Sequence, residues 1–305
     1  VSVLNGTATG SYTVRLAGPS QQAVTNSLVG RWSFEQTAWT GAVNEVVDSS
    51  GLGNHGRAYN GAAPVSGGVS GRAASFGTTN AYVEIPNSSS LQVAGNMTLS
   101  FWIKANNIGN NRLNPIDKNY GGEFALTIET DGRLSYYHGT AQSTSNYWSW
   151  TALPANKLVN TLWQHVAIVR DAVSNRVSSY YNGALVSQTT YATATNLKPK
   201  ATTSPVRIGR GYTAATLNGR IDEVQIHSRA FSAAEVSALY MTNRPANQRP
   251  YAYAGPDLVV KWPASASLNG KAADDGLPSN RLSTAWSKVS GTGTVTFANA
   301  TSLVT

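Results

Sequence analysis

Residues 97–105 read MTLSFWIKA. Along an extended chain successive side chains point to opposite sides, so Phe101 and Ile103 face one way while Trp102 and Lys104 face the other. One side must pack and the other is mixed, which is what a strand in a sandwich of two sheets requires. The same alternation recurs in LVGRWSF (28–34), AYVEI (81–85), EFALTIET (123–130), RLSYYHG (133–139), WQHVAIVRD (163–171), RVSSYYNGALVSQTT (176–190), VRIGR (206–210) and RIDEVQIHSRA (220–230). Asp131-Gly132 and Asn182-Gly183 sit between alternating runs and predict tight hairpins. One stretch reads as helix, SAAEVSALY (232–240), with Ser232 as N-cap and Glu235 three residues on as its capping-box partner. The fold class predicted is all-β: antiparallel sheets packed face to face.

Composition agrees. The 305 residues include 28 Gly, 8 Trp, 14 Tyr and 6 Phe, the mixture of turns and large apolar side chains expected of many short strands. There is no cysteine, which excludes disulfides, thiolate metal sites and cysteine nucleophiles. Net charge is +8, but the 23 Lys and Arg are scattered, and nucleic-acid binding would need them clustered among aromatics. No apolar run approaches a membrane span of about 20 residues. An acidic polysaccharide is a permitted partner, and a bacterial exterior or cell surface is the expected location.

NRPANQRP (243–250) carries two prolines and no large apolar residue, as a linker does. It divides a long strand series over 28–242 from a shorter one over 251–305. Ahead of both, GSYTVRLAG (10–18) alternates Tyr12, Val14 and Leu16 with polar or small residues, and 19–27 is a polar connector.

Several stretches together resemble the laminin-G-like modules, jelly-roll sandwiches of the concanavalin A and pentraxin kind. They are LVGRWSFE (28–35), DSSGLGNHG (48–56), GRAASFGTTNAYVEIP (71–86), MTLSFWIKA, NTLWQHVAIVRD (160–171), YYNGALV (180–186) and GRIDEVQIHSRAFSAAEV (219–236). The resemblance implies two curved antiparallel sheets with a short helix after the last strand. Residues 247–305 resemble the polycystic-kidney-disease-type (PKD-like) immunoglobulin sandwich repeats, with Trp286 as the core tryptophan and Val295 and Phe297 in a later strand. Those repeats close with one more strand, which GSYTVRLAG resembles. Residues 1–18 are then either the tail of a preceding repeat or a strand donated to a neighbouring copy, which would build a head-to-tail filament.

For chemistry, Asp48, Ser49, Ser50 and Asn54 place hard oxygen ligands on a Gly-rich turn, as calcium requires. The family resemblance implies a structural calcium held by Asp48, Asn54, Asp222 and Glu35, although Gln36 stands where a second acid is common. The alternative is that Asp48 and Asn54 only cap a turn. Catalysis is not expected: the nearest approach to a paired-carboxylate strand is Glu129-Thr130-Asp131, which lacks the last carboxylate, and Asp222 and Glu223 are adjacent and so diverge on a strand. His165 reads as a structural histidine. For sugar binding, NYWSW (146–150) with the neighbouring tyrosines nominates Tyr147, Trp148, Trp150 and Tyr137, because flat aromatic faces suit sugar rings; of Tyr136 and Tyr137, one must reach the surface. The expectation is a non-catalytic extracellular adhesion or carbohydrate-binding protein whose partners are glycans or copies of itself. A filament subunit and an accessory module of a polysaccharide-degrading enzyme are the alternatives.

Overall fold

A computed structural model describes residues 27–78, 80–140, 147–191, 197–211, 216–243, 250–261, 264–274 and 282–305. Tyr12, Val14 and Leu16, the expected donor strand, lie outside the described residues. In chain order the strands begin with β1 (Leu28–Trp32), β2 (Arg57–Tyr59), β3 (Ala63–Ser66), β4 (Arg72–Ser75), β5 (Tyr82–Ile85) and β6 (Met97–Ala105). They continue with β7 (Ile116–Asn119), β8 (Phe124–Ile128), β9 (Leu134–Gly139), β10 (Tyr147–Leu153), β11 (Gln164–Asp171), β12 (Arg176–Tyr181) and β13 (Ala184–Thr190). β14 (Val206–Ile208) and β15 (Gly219–His227) precede helix α1 (Ala233–Thr242).

Two antiparallel sheets result. One runs β13-β12-β11-β6-β15-β4-β3 with β1 added on β15; the other runs β10-β9-β8-β7-β14-β5-β2. Consecutive strands are often not neighbours, the crossover pattern of a jelly roll. Both predicted hairpins form: Asn182 (φ 48°) and Gly183 (φ 76°) join β12 to β13, and Gly132 (φ 81°) turns β8 into β9. Positive φ at both centres is what an Asn-Gly turn supplies.

The core lies between the sheets. Phe101 and Ile103 of β6, Val166 and Ile168 of β11 and Ile221 and Ile226 of β15 meet Val83, Ile116, Leu126, Tyr136 and Ile208 from the other sheet. Arg170 is buried in this layer, where it donates to the carbonyls of Gly95, Glu123 and Val93 and to the Tyr136 hydroxyl. It links β11 to the opposite sheet, and the four acceptors offset the desolvation of the guanidinium.

Helix α1 begins as its sequence predicts. Ser232 Oγ accepts from the Glu235 amide, and the Glu235 carboxylate accepts from the Ser232 amide, a complete capping box. The helix covers the outer face of the eight-stranded sheet. Trp102 stacks on Tyr240 at 5.4 Å between ring centres, and Val236 and Phe231 pack on Ala167, Val169 and Tyr180. Thr98 anchors the approach to the helix, donating to the Arg229 carbonyl and accepting from the Phe231 amide.

Among the described residues, 250–305 form one two-stranded sheet, with no second sheet facing it. Their described part pairs only β16 (Tyr251–Tyr253) with β17 (Lys271–Ala273), beside a bridge between Asn269 and Val304. Trp286 is half-buried, held by its indole N–H on the Ser302 carbonyl, and neither Val295 nor Phe297 is in a strand. A sandwich needs two apolar faces in contact; here Leu258, Val259, Leu282, Val289 and Val295 remain exposed.

Candidate functional site

The seven-stranded sheet has one face on the core, and among the described residues its other face carries no helix. Residues facing out from it lie in one cross-strand row. Successive backbone partners are Arg57, Glu84, Arg207, Asp117, Ala125, Tyr137 and Ser149. Six strand spacings of about 4.8 Å make the row roughly 29 Å long. Ala58, Val83, Ile208, Ile116, Leu126 and Tyr136, one residue further along each strand, are all in the core, which fixes the direction of the row.

At the β9–β10 end the face is aromatic. Tyr137 and Tyr147 lie 5.7 Å apart, and Tyr120 meets Tyr147 edge-on at 5.6 Å. The Tyr137 hydroxyl donates to Glu129 at 2.6 Å, and Arg112 Nε donates to the other Glu129 oxygen at 2.8 Å. Burial and then Glu129 hold the Tyr137 hydroxyl above its ordinary pKa, so it remains a donor. Glu129 is therefore committed to two donors, and Asp131 turns away to Arg133 at 3.0 Å. The two carboxylates closest in sequence to a catalytic pair share no site.

The four nominated aromatics separate by strand alternation. Tyr137 and Tyr147 face outward. Trp148 and Trp150 pack against the core, with Trp148 stacked on His138 at 5.0 Å. β10 is a strand, so its tryptophans and its tyrosine take opposite sides. Of the neighbouring tyrosines, Tyr136 is fully buried and Tyr137 is the one that reaches the surface.

At the β2–β5–β14 end the face is charged. Tyr59 and Tyr82 stack at 4.8 Å with 9° between their planes. Arg57 lies over Tyr59 at 5.1 Å, Arg207 over Tyr82 at 5.7 Å, and Arg207 Nε donates to Glu84 at 2.9 Å. This group was missed in the sequence, where Tyr59 and Tyr82 are 23 residues apart. The alternation of AYVEI, which sets Tyr82 and Glu84 against Val83 and Ile85, was the available signal.

The expected calcium ligands fall into two groups. Asp48 Oδ1 accepts from the amides of Arg31 and Ser50, and Oδ2 accepts from the Ser50 hydroxyl and the Asn54 amide. Asn54 donates to the Val29 carbonyl and accepts from the Ser88 hydroxyl. All four acceptor positions of Asp48 are taken, so this pair caps its own loop and does not fit a cation. Glu35 and Asp222 meet on a different loop: Glu35 accepts from the Arg72 amide, and Asp222 from the amides of Val69, Ser70 and Glu223. Burial, then the Glu223 charge, raise Asp222 to about 8. Among the described residues no three His, Cys, Asp or Glu side chains converge as a metal site.

His165 is buried under α1, bonded to Ser100 Oγ at 2.8 Å, and burial lowers its pKa to about 3. A neutral imidazole enclosed by Trp102 and Tyr240 is part of the packing.

Residues 76–237, just over half of the chain, match the family model described as the concanavalin A-like lectin/glucanases superfamily. No curated protein sequence matches the chain. Among solved structures, the binding domain of Paraclostridial Mosquitocidal Protein 1 is similar at 15% identity with a TM-score of 0.59, covering 76% of this chain and 59% of that one. The botulinum neurotoxin serotype D binding domain follows at 14% identity and 0.57, covering 75% of this chain and 58% of that one. The serotype D ligand binding domain in complex with N-acetylneuraminic acid gives 14% and 0.56, with 76% of this chain and 58% of that chain covered. This chain thus spans under two thirds of the length of these structures, and the likeness is one of fold.

Proposed function

The chain belongs to the concanavalin A-like lectin/glucanases superfamily, and on that premise we propose that it is a non-catalytic carbohydrate-binding protein of an extracellular or cell-surface assembly. Its binding face is the outer face of the seven-stranded sheet, at the ends of the row where Arg57, Tyr147 and Ser149 are exposed. One observation carries this reading: Tyr137 and Tyr147, on β9 and β10, cluster with Tyr120, Arg112 and Glu129 from the adjoining connections. Aromatic rings give sugars an apolar surface at small entropic cost, and the fixed guanidinium, phenol and carboxylate meet hydroxyl groups. The serotype D neurotoxin domain, which shares the fold, binds N-acetylneuraminic acid, and this supports the substrate class. No helix among the described residues is long and apolar enough to cross a membrane.

The test is a glycan array followed by calorimetry on the best ligand, using Tyr147→Ala. At least a tenfold loss of affinity with an unchanged melting temperature is expected. Undiminished binding by the variant, or an array blank throughout, defeats the reading.

A second reading rests on the C-terminal segment. Its groove of about 320 Å³, lined by Tyr251, Tyr253, Ala272, Leu282, Trp286 and Leu303 among others, leaves apolar surface uncovered. A strand bearing Tyr12, Val14 and Leu16 from a second copy has the pattern to fill such a groove, completing a PKD-like sandwich between copies. Light scattering on the full chain and on a variant lacking residues 1–18 decides: oligomers lost on deletion support donation, and a full chain that stays monomeric excludes it.

A further inference from the structure

The charged end of the binding face has an organisation that neutral-sugar recognition does not need. Arg57, Tyr59, Tyr82 and Arg207 form a ladder across β2, β5 and β14: ring on ring at 4.8 Å, with a guanidinium against each tyrosine at 5.1 and 5.7 Å. Stacking restrains long side chains before any ligand arrives, so less rotamer entropy is lost on binding. Guanidinium edges suit planar or tetrahedral anions, which they bind through paired N–H donors.

The charges do not cancel. Arg207 is paired with Glu84, and the one further acid in the row, Asp117, is buried. Arg57 is exposed and is in no ion pair among the described residues. Arg210, close enough to Tyr82 to act on its hydroxyl, is half-buried, and its Nε has no hydrogen-bond partner among the described residues. Arg57 thus presents an exposed guanidinium in no ion pair among the described residues, and Arg210, whose unpartnered Nε is buried, adds positive charge near Tyr82. Burial, then Glu84, raise the Tyr82 hydroxyl's pKa, which keeps it a donor as well. Three guanidiniums beside one carboxylate leave surplus positive charge, which is complementary to an anion.

We infer that this ladder is the acid-recognising end of the face, taking the carboxylate or sulfate group of an acidic oligosaccharide whose neutral portion lies toward Tyr137 and Tyr147. Arg207 and Tyr137 are three strand spacings apart on the row, roughly 14 Å, so one ligand engaging both is an oligomer and not a single sugar. The inference rests on the carbohydrate-binding reading and adds the ligand's charge.

The experiment measures binding by calorimetry for three probes on the intact chain: oligogalacturonate (carboxylated), a chondroitin sulfate oligosaccharide (sulfated as well) and a neutral oligosaccharide of the same length. It compares the wild type with the double variant Arg57→Gln/Arg210→Gln and, in case that pair perturbs folding, with Arg57→Gln alone. The expected result is at least tenfold preference for an acidic probe over the neutral one, weakening as salt is raised, and at least tenfold loss in the double variant. Binding of the carboxylated probe assigns the anion as carboxylate, and binding of the sulfated probe alone assigns it as sulfate. Neutral oligosaccharide bound as tightly as acidic, with Tyr147→Ala still weakening it, overturns this inference and leaves the carbohydrate-binding reading standing. Acidic binding unchanged in both arginine variants, or poly-glutamate bound as tightly as the acidic sugars, also overturns it. Loss of every sugar interaction in the wild type removes the reading beneath it.

Discussion

The two sheets share one core and differ in what they turn outward. On the eight-stranded sheet the outer face is closed: Trp102, Ala167 and Val169 lie under α1, and His165 is kept neutral there. On the seven-stranded sheet the equivalent face is the row from Arg57 to Ser149, with an aromatic end and a charged end either side of the buried Asp117 and Ala125. A covered apolar face contributes to stability in proportion to buried area, while an open polar face contributes little to stability and is available to a ligand. One sheet therefore carries stability, and the other is the one proposed for recognition.

The contrast breaks most visibly at Trp102. Replacing it with Ala should cost about 3–5 kcal/mol, as large-to-small changes in a packed layer do, measured by urea unfolding. A cost below about 1 kcal/mol would mean that α1 is not docked through this residue.

Acid comes next. His138 and His165 are both held near 3, well below the ordinary 6.5, by burial. The unfolded chain binds protons that the folded histidines refuse between those values, so their contribution to stability is full above about pH 6.5 and falls as pH drops toward 3. The two histidines together give about 2.7 kcal/mol per pH unit in the middle of that window, and Asp222, held at about 8, offsets roughly half of it because there the folded chain binds the extra proton. His165→Gln should remove most of the remaining acid slope; a slope equal to the wild type's would place the acid sensitivity elsewhere.

Ser232→Ala removes one half of the capping box and should lower stability by about 1 kcal/mol, read as a shift in the urea midpoint with the slope unchanged. The smallest effect concerns calcium. With Asp48 and Asn54 committed to their own loop, chelation with EDTA should leave the melting temperature unmoved. A fall of several degrees would put an ion on Glu35 and Asp222, at the rim of the covered sheet.

Much of the architecture was legible in the chain. MTLSFWIKA announces a two-sided strand, Asn182-Gly183 and Asp131-Gly132 mark hairpins, and Ser232 with Glu235 marks the helix start, because these signals act over a few residues. β2, β3, β4 and β7 were not announced, since three or four residues such as RAY or IDKN are too short for a period to register. The outer face of the seven-stranded sheet was half legible. Tyr137 and Tyr147 could be nominated from local density, but the same density drew in Trp148 and Trp150, whose side of the strand depends on the register of β10 against β9.

By itself, then, the sequence determined the secondary-structure class, the strand alternation and the residues able to pack, all of which follow from backbone geometry and side-chain character within a short window. Tertiary structure alone decided which face α1 covers, that Asp48 and Asp222 bind different loops, and that Arg57, Tyr59, Tyr82 and Arg207 become one ladder. These depend on pairing between strands as far apart as residues 57 and 207. Such long-range register is set by closing the shared core, and it leaves no periodic trace in the chain.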